Sequence, residues 1–330
     1  MNILTQSSDV SFYALSPQNK VERYLLSTPE TRVICNDPFV YGVVYTQKLK
    51  MGMTKLFKAM REQSLVAGEE AHTLVLHILR GGLNFGLREA LFEAYGWNDH
   101  SCAFISSQRA HDDAHGWHIT ENRYQKVKIL DQMDLVFADV VATGVSLKHA
   151  LFRIIELTQM EQKSIRRITF ITIGGRKATE LLEEADRKCR ELFKDYQGSR
   201  IIYVEGVFSL PEEVVPLSVA IPGTDLLRLQ AELAPDFVKS QSEKLSYALE
   251  RCVIYDAGSR AFDPEEYWHD VRDYWKKVLA LAEKGMTLTR YLRERFPEDP
   301  RLKDAEWCKK FDTAEALKEV CAEQMSHSMK

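Results

Sequence analysis

From about residue 73 the chain alternates short apolar, β-branched runs with helical patterns, and this alternation restricts the fold more than any other feature of the sequence. Thr73–Leu79 (TLVLHIL) reads as a strand. Residues 83–95 read as a helix, with apolar Leu83, Leu87, Leu91 and Tyr95 every four residues. Ser101–Ser106 is a weaker strand. Residues 135–139 (LVFAD) form a buried strand, and Leu147, Leu151, Ile154 and Ile155 give one stripe of the helix behind it. Residues 168–173 and 200–207 are further β-rich runs, with a charged helix over about 178–196 between them. Strands alternating with amphipathic helices predict an α/β fold with a mostly parallel sheet of about five strands, helices covering both faces. Ligands of such sheets bind at the carboxyl ends of the strands, in the turns that lead into helices.

The flanking segments are less regular. Residues 1–50 carry Pro, Asn, Ser and aromatic side chains and read as an irregular N-terminal cap on a main body over 51–263. Within that body, residues 211–250 open with three prolines in twelve positions and then become polar and helical, as an insertion would. Asp263-Pro264 is a helix start with Pro at the first position, and 264–330 read as a helical C-terminal extension. Its stripe of Tyr267, Val271, Tyr274, Val278 and Leu281, with Trp268 and Trp275 alongside, predicts a helix packed on the main body or on a partner.

Composition sets outer limits. Apolar residues make up 45% and charged residues 28%, enough apolar surface for a sizeable core and too much for a disordered chain. Lys and Arg number 44 against 48 Asp and Glu, a net charge of −4, so no nucleic-acid partner is expected. No run reaches the roughly 18 apolar residues of a membrane span. The opening MNILTQSSDV lacks a basic segment followed by an apolar stretch, so no secretory signal is expected. Cysteines at 35, 102, 189, 252, 308 and 321 contain no CxxC pair and read as reduced thiols, which fits a cytoplasmic protein.

Two stretches have the composition of anion sites. Residues 134–147 (DLVFADVVATGVSL) run from a buried strand ending in one acid, Asp139, into a tight Ala142-Thr143-Gly144-Val145-Ser146 turn that opens a helix. Backbone N–H groups at a helix N-terminus converge on one spot, Gly144 permits the tight path, and the Thr143 and Ser146 hydroxyls add donors. Asp139 beside them would accept hydrogen bonds from sugar hydroxyls. An ordinary strand-to-helix turn with a Ser or Thr cap is the alternative. His77-Ile78-Leu79-Arg80-Gly81-Gly82-Leu83 follows the first sheet strand; Gly81 and Gly82 supply bare backbone to an anion and Arg80 a cation, or else the stretch is a glycine turn with a solvated arginine.

These stretches resemble type I phosphoribosyltransferases, and in form they are nearest to uracil phosphoribosyltransferases. The ATG-x-S turn is similar to the ribose-5-phosphate loop of the family, and 77–83 to its ILRAGL segment, where a tight turn binds the pyrophosphate of phosphoribosyl pyrophosphate. A third stretch, Tyr255-Asp256-Ala257-Gly258-Ser259-Arg260-Ala261-Phe262, resembles the GDAGDR-x-F segment of the base site. Asp256, Ala257, Gly258 and Ser259 would then meet the acceptor, though Ser259 stands where the family has its second acid. Ala138 likewise stands where the usual acid pair begins, leaving Asp139 alone. Residues 106–128 hold three His, two adjacent Asp and two Arg without apolar periodicity, and the resemblance implies a polar lid here with Arg109 as its arginine. His111, His115 and His118 would share one helical turn as metal ligands, but Gly116 interrupts that helix, so no dedicated metal site is expected.

The resemblance covers about 50–210 and 252–263. It implies a fold with a lid over a parallel sheet, transfer of phosphoribosyl from phosphoribosyl pyrophosphate to a nitrogenous base, a pyrimidine such as uracil among the candidates, Mg²⁺ on the pyrophosphate, and a homo-oligomer. No protein nucleophile is required: the C1–O bond breaks towards an oxocarbenium-like state, and the protein positions and stabilises the leaving group. Arg80, Gly81, Gly82 and Arg109 would serve the pyrophosphate, Asp139 the ribose. The altered acids at Ala138 and Ser259 keep open a regulatory protein that senses the ligand without turnover. An enzyme acting on an already phosphoribosylated compound is the third reading.

Overall fold

In the computed structural model the described residues are 1–79, 81–106, 108–112, 116–121, 124–214, 216–220, 226–251 and 263–327, with the backbone alone for 108–112, 116–121 and 327. The chain begins with three short strands, β1 (Asn2–Gln6), β2 (Ser11–Ala14) and β3 (Glu22–Ser27), followed by helices α1 (Pro29–Asn36) and α2 (Gly42–Glu62). Then come β4 (Thr73–Leu79), a 3-10 turn (Gly81–Phe85), α3 (Leu87–Tyr95) and β5 (Ser101–Ser106). A hairpin of β6 (Gln108–Asp112) and β7 (Gly116–Glu121) and the two-residue β8 (Gln125–Lys126) lead to β9 (Met133–Val141), α4 (Val145–Met160), β10 (Ile165–Gly175), α5 (Arg176–Leu192) and β11 (Gly198–Ser209). After β12 (Leu227–Leu233) and α6 (Pro235–Ser240) the chain is helical: α7 (Pro264–Glu283), α8 (Leu288–Arg295), α9 (Ala305–Phe311) and α10 (Ala314–His327).

One sheet dominates, in the order β1-β2-β3-β11-β10-β9-β4-β5-β8 with β12 on β11. Its six central strands, β3, β11, β10, β9, β4 and β5, all pair in parallel, one more than the sequence predicts. Strands covered on both faces read as continuous apolar runs, and Leu74, Val75, Phe137, Phe170, Ile171, Ile201 and Ile202 are all fully buried. Phe137 and Phe170 stack across β9 and β10 with ring centroids 4.6 Å apart. Right-handed crossovers put α4 and α5 side by side on one face and α3, packed on α2, on the other. Among the described residues no helix is long and apolar enough to cross a membrane.

Three expectations are corrected, and a fourth segment gains definition. Residues 1–50 are not an irregular cap, because β2 and β3 continue the central sheet and α2 runs through residue 50. The turn between those strands places Asn19 and Lys20 at φ 46° and 77°, the double left-handed geometry of a tight hairpin without the glycine that advertises one. Residues 211–250 are not mainly helical; β12 adds antiparallel to β11. The helix after β4 does not begin at Leu83, which is 48% exposed, because Gly86 at φ 57° separates the 3-10 turn from α3. The segment without periodicity contains a hairpin, in which Asp112 pairs with Gly116, so no helical turn gathers His111 and His118. His115 lies outside the described residues.

The C-terminal stripe packs inward as its spacing predicts: Tyr267, Val271, Tyr274 and Val278 are buried, with Trp275. The Tyr267 hydroxyl donates to the Pro38 carbonyl at 2.6 Å, and Trp275 Nε1 to Glu250 Oε2 at 3.0 Å.

Candidate functional site

β4 and β9 are parallel neighbours, yet the chain leaves β4 for β5 on one side and leaves β9 for β10 and β11 on the other. Their carboxyl ends therefore diverge, which is where open α/β sheets form a ligand crevice. The two anion-type stretches of the sequence sit on those two strand ends. Gly82, in the 3-10 turn after β4, lies against β9: a Cβ at Gly82 would be 3.1 Å from the Ala138 carbonyl oxygen. A side chain here would press on the neighbouring strand backbone, so glycine suits this close approach. Gly81 is half-buried and Gly82 buried.

Asp139 is the next residue along β9. Ala138 is fully buried, and the alternation of the strand leaves Asp139 half-buried. Asp139 Oδ1 accepts from the Val140 N–H at 3.0 Å, and its backbone carbonyl accepts from the Thr172 hydroxyl of β10 at 2.9 Å. The acid is thus anchored through its backbone to β10.

After β9, Ala142 and Thr143 turn the chain, and Gly144, at φ 75°, is the N-cap of α4 and brings no capping side chain of its own. The first N–H groups of an uncapped helix remain available to an anion. Gly144 also has a packing role, since a side chain there would collide with Leu181 of α5. Val145 and Ser146 open the helix and are half-buried. Beside this loop a cleft of about 440 Å³ separates Thr143, Gly144 and Val145 from Lys177 of α5, with Lys148 on its wall. Lys148 is paired with Glu184 at 3.0 Å and Lys177 with Glu180 at 2.8 Å. Such exposed pairs hold little energy, so either ammonium can turn to an anion at modest cost.

Two features escaped the sequence reading. β10 ends in Gly174 and Gly175, both pressed against neighbouring backbone: a Cβ at Gly174 would be 2.5 Å from the Val141 carbonyl oxygen, and one at Gly175 would be 3.0 Å from that of Phe208. α5 then starts without a side-chain cap among the described residues. The signal was an apolar run ending in paired glycines before a charged helix, the same form as after β4. The second feature is His77, buried beneath the Gly82 turn, where burial, reinforced by Arg88, pushes its imidazole down to about 4 and keeps it neutral at pH 7.

The structure thus brings together Gly81, Gly82, Asp139 and the loop 142–146. It places the backbone of Arg109 on β6, paired with Ile119, and sets the β6–β7 hairpin against α4. Arg80 and the acceptor stretch Asp256, Ala257, Gly258 and Ser259 lie outside the described residues. Among the described residues no three His, Cys, Asp or Glu side chains form a metal-ligand cluster.

No family model and no curated protein matches the chain. Solved structures similar to it include a hypoxanthine phosphoribosyltransferase from Staphylococcus aureus, at 15% identity over 53% of this chain and 72% of that one, with a TM-score of 0.26. A xanthine-guanine-hypoxanthine phosphoribosyltransferase from Helicobacter pylori matches at 13% identity over 53% and 92%, with a TM-score of 0.26. A hypoxanthine phosphoribosyltransferase from Trypanosoma cruzi, solved with its product IMP, matches at 12% identity over 60% and 93%, with a TM-score of 0.28. At these scores the likeness carries no weight for function, which rests on the residues of the chain itself.

Proposed function

We propose that the crevice between the carboxyl ends of β4 and β9 binds phosphoribosyl pyrophosphate and that the protein transfers its phosphoribosyl group to a nitrogenous base. One observation carries this reading. Two stretches that resemble the pyrophosphate and ribose-5-phosphate loops of one family, some 60 residues apart in sequence, meet at a Gly82-to-Ala138 contact one residue from Asp139. In the proposed complex the 142–146 loop holds the 5-phosphate on the α4 N-terminus, Asp139 accepts from the ribose hydroxyls, and Gly81 and Gly82 face the pyrophosphate with Arg80. Arg109 on the hairpin is the candidate cation for charge that grows on the leaving group. Asp256, Ala257, Gly258 and Ser259 are the candidate acceptor site; their resemblance points to a pyrimidine, while Ser259 in place of the family's second acid weakens the case for uracil itself.

Mg²⁺ fits this arrangement only as an ion carried largely by the ligand. Mg²⁺ is usually held by one or two carboxylates plus substrate phosphates, and the site offers Asp139 without a cluster of further acids among the described residues. When bound, it would neutralise charge on the pyrophosphate.

The fully buried Ala138 favours a second reading, a protein that binds the same ligand without turnover. Incubation with phosphoribosyl pyrophosphate, Mg²⁺ and a panel of bases separates the two. Base-dependent pyrophosphate release supports transfer; binding without release with any base supports the sensor; neither binding nor release contradicts both.

A further inference from the structure

The turn that carries Gly81 and Gly82 rests on a side chain that the proposed chemistry does not use. His77 lies two residues before the end of β4 and is 4% exposed. Its ring stacks on Phe104 of β5, with centroids 5.0 Å apart and planes 18° from parallel. The imidazole faces the backbone of Gly82, and a Cβ at Gly82 would be 3.8 Å from His77 Cα. Among the described residues neither ring nitrogen makes a hydrogen bond of good geometry.

A neutral imidazole has one N–H donor and one acceptor, and burying both unmatched is unfavourable, whereas an apolar ring of similar shape would carry no such penalty. Packing on Phe104 alone would therefore favour phenylalanine. A polar ring makes sense here if its edge is used in another state of the molecule, and what it faces is the backbone of the anion loop.

We propose that His77 is the positioning residue of the Gly81-Gly82 loop: when an anion of the pyrophosphate class docks on the loop N–H groups, the peptide at Gly82 takes up the imidazole as its hydrogen-bond partner and is held in the anion-binding form. This rests on the reading of that loop as an anion site. The hydrogen bond forms between neutral groups, so His77 neither donates its proton to the ligand nor becomes charged.

The test measures stability and affinity on the same variants, because the proposal moves them in opposite directions. His77→Phe removes the unmatched polar edge and keeps the stack, while His77→Gln keeps a donor and an acceptor. Thermal melts of the free proteins and calorimetric titration with phosphoribosyl pyrophosphate and Mg²⁺ are the readouts. His77→Phe is expected to melt at or above the wild-type temperature and to bind about five- to tenfold more weakly, the worth of one hydrogen bond. His77→Gln should bind within about threefold of wild type. His77→Phe binding as tightly as wild type overturns the proposal, as do parallel losses of stability and affinity in both variants, which would make His77 a packing residue. Wild-type protein that does not bind overturns the loop reading itself.

Discussion

At the amino ends of β9, β10 and β11, charged side chains are bound to the protein itself, whereas at the carboxyl ends of β4, β9 and β10 the backbone is left bare. Asp134, 1% exposed at the start of β9, accepts from Arg166 Nε at 3.0 Å and from the Glu69 N–H at 3.0 Å. Gly68 is fixed by the same carboxylate, since any side chain there would strike it. Arg200 donates to the Leu65 carbonyl at 2.6 Å, and Arg167 to Gln197 Oε1 at 2.5 Å. The opposite edge has Gly82, Gly174 and Gly175 at close backbone approaches, Gly144 against the Leu181 side chain, and glycine as the N-cap of both α4 and α5. Helices elsewhere show that capping is available to this chain: Thr28 caps α1 with a capping box, and Asp263, Thr287 and Asp304 cap α7, α8 and α9. Among the described residues helices α2 and α6 also start without a side-chain cap, so what sets the crevice edge apart is glycine at the strand ends rather than the missing caps alone. A strand end that closes its own hydrogen bonds is built for stability; one that leaves donors exposed is built for a ligand.

The largest effect should come from the closed edge. Asp134→Ala leaves the Arg166 guanidinium without its buried partner, and breaking such a pair costs about 3–5 kcal/mol. Chemical denaturation should show a loss of that order, while the folded fraction binds phosphoribosyl pyrophosphate with wild-type affinity. A loss of affinity at full stability would erase the distinction between the edges.

Glu205 sharpens the comparison, because it is a buried acid of the carboxyl half that is not part of the bare edge. It sits in a bulge of β11 at φ 64°, fully buried, accepting from the Thr28 N–H at 3.2 Å and from the Thr31 hydroxyl. Burial pushes its carboxyl up to about 7. The fold thus disfavours the ionised form, and the stability tied to this site is full below the ordinary glutamate value of 4.5 and lost as the pH rises to about 7. Glu205→Gln should gain on wild type by about 3 kcal/mol between those pH values. Unfolding free energies that stay parallel across the range would show that Glu205 does not titrate in the fold.

Asp139→Asn should do the reverse of Asp134→Ala. Asp139 is half-buried and Asn keeps both its volume and an acceptor for the Val140 N–H, so stability should change by about 1 kcal/mol or less. Affinity for phosphoribosyl pyrophosphate should fall by about 1.5–3 kcal/mol, the worth of a charge-assisted bond. Unaltered affinity in a titration would make Asp139 a structural acid. The smallest effect is expected for Lys177→Ala, within about 0.5 kcal/mol in stability because its ion pair with Glu180 is exposed. Its affinity should become less sensitive to added salt than that of wild type, as follows from removing one screened charge.

The parallel core was legible because its strands are apolar runs bounded by turn residues: Thr73–Leu79 and Ser101–Ser106 coincide with β4 and β5. β12 was hidden by Arg228, which breaks the apolar alternation yet is 2% exposed because it donates to the Glu250 and Cys35 carbonyls. β2 and β3 were hidden by a hairpin turn made without glycine. At the candidate site the two loops were legible from their glycines. Their meeting was not, since it depends on the divergence of β4 and β9 in the sheet. His77 in TLVLHIL looked like one more core position, and only the neighbouring Gly82 backbone gives it a different meaning.

The most direct measurement is a thermal melt of the full chain with and without millimolar phosphoribosyl pyrophosphate and Mg²⁺, run in parallel on Asp139→Asn and on Lys55→Ala as a control remote from the crevice. A ligand present at 100 times its dissociation constant adds about 2.7 kcal/mol to the folded state, which for a chain of 330 residues raises the melting temperature by about 4 °C. The expected result is that rise in wild type and in Lys55→Ala, and a smaller one in Asp139→Asn. A melting temperature that does not move in wild type, or that moves equally in Asp139→Asn, would contradict the assignment of the bare edge as the ligand site.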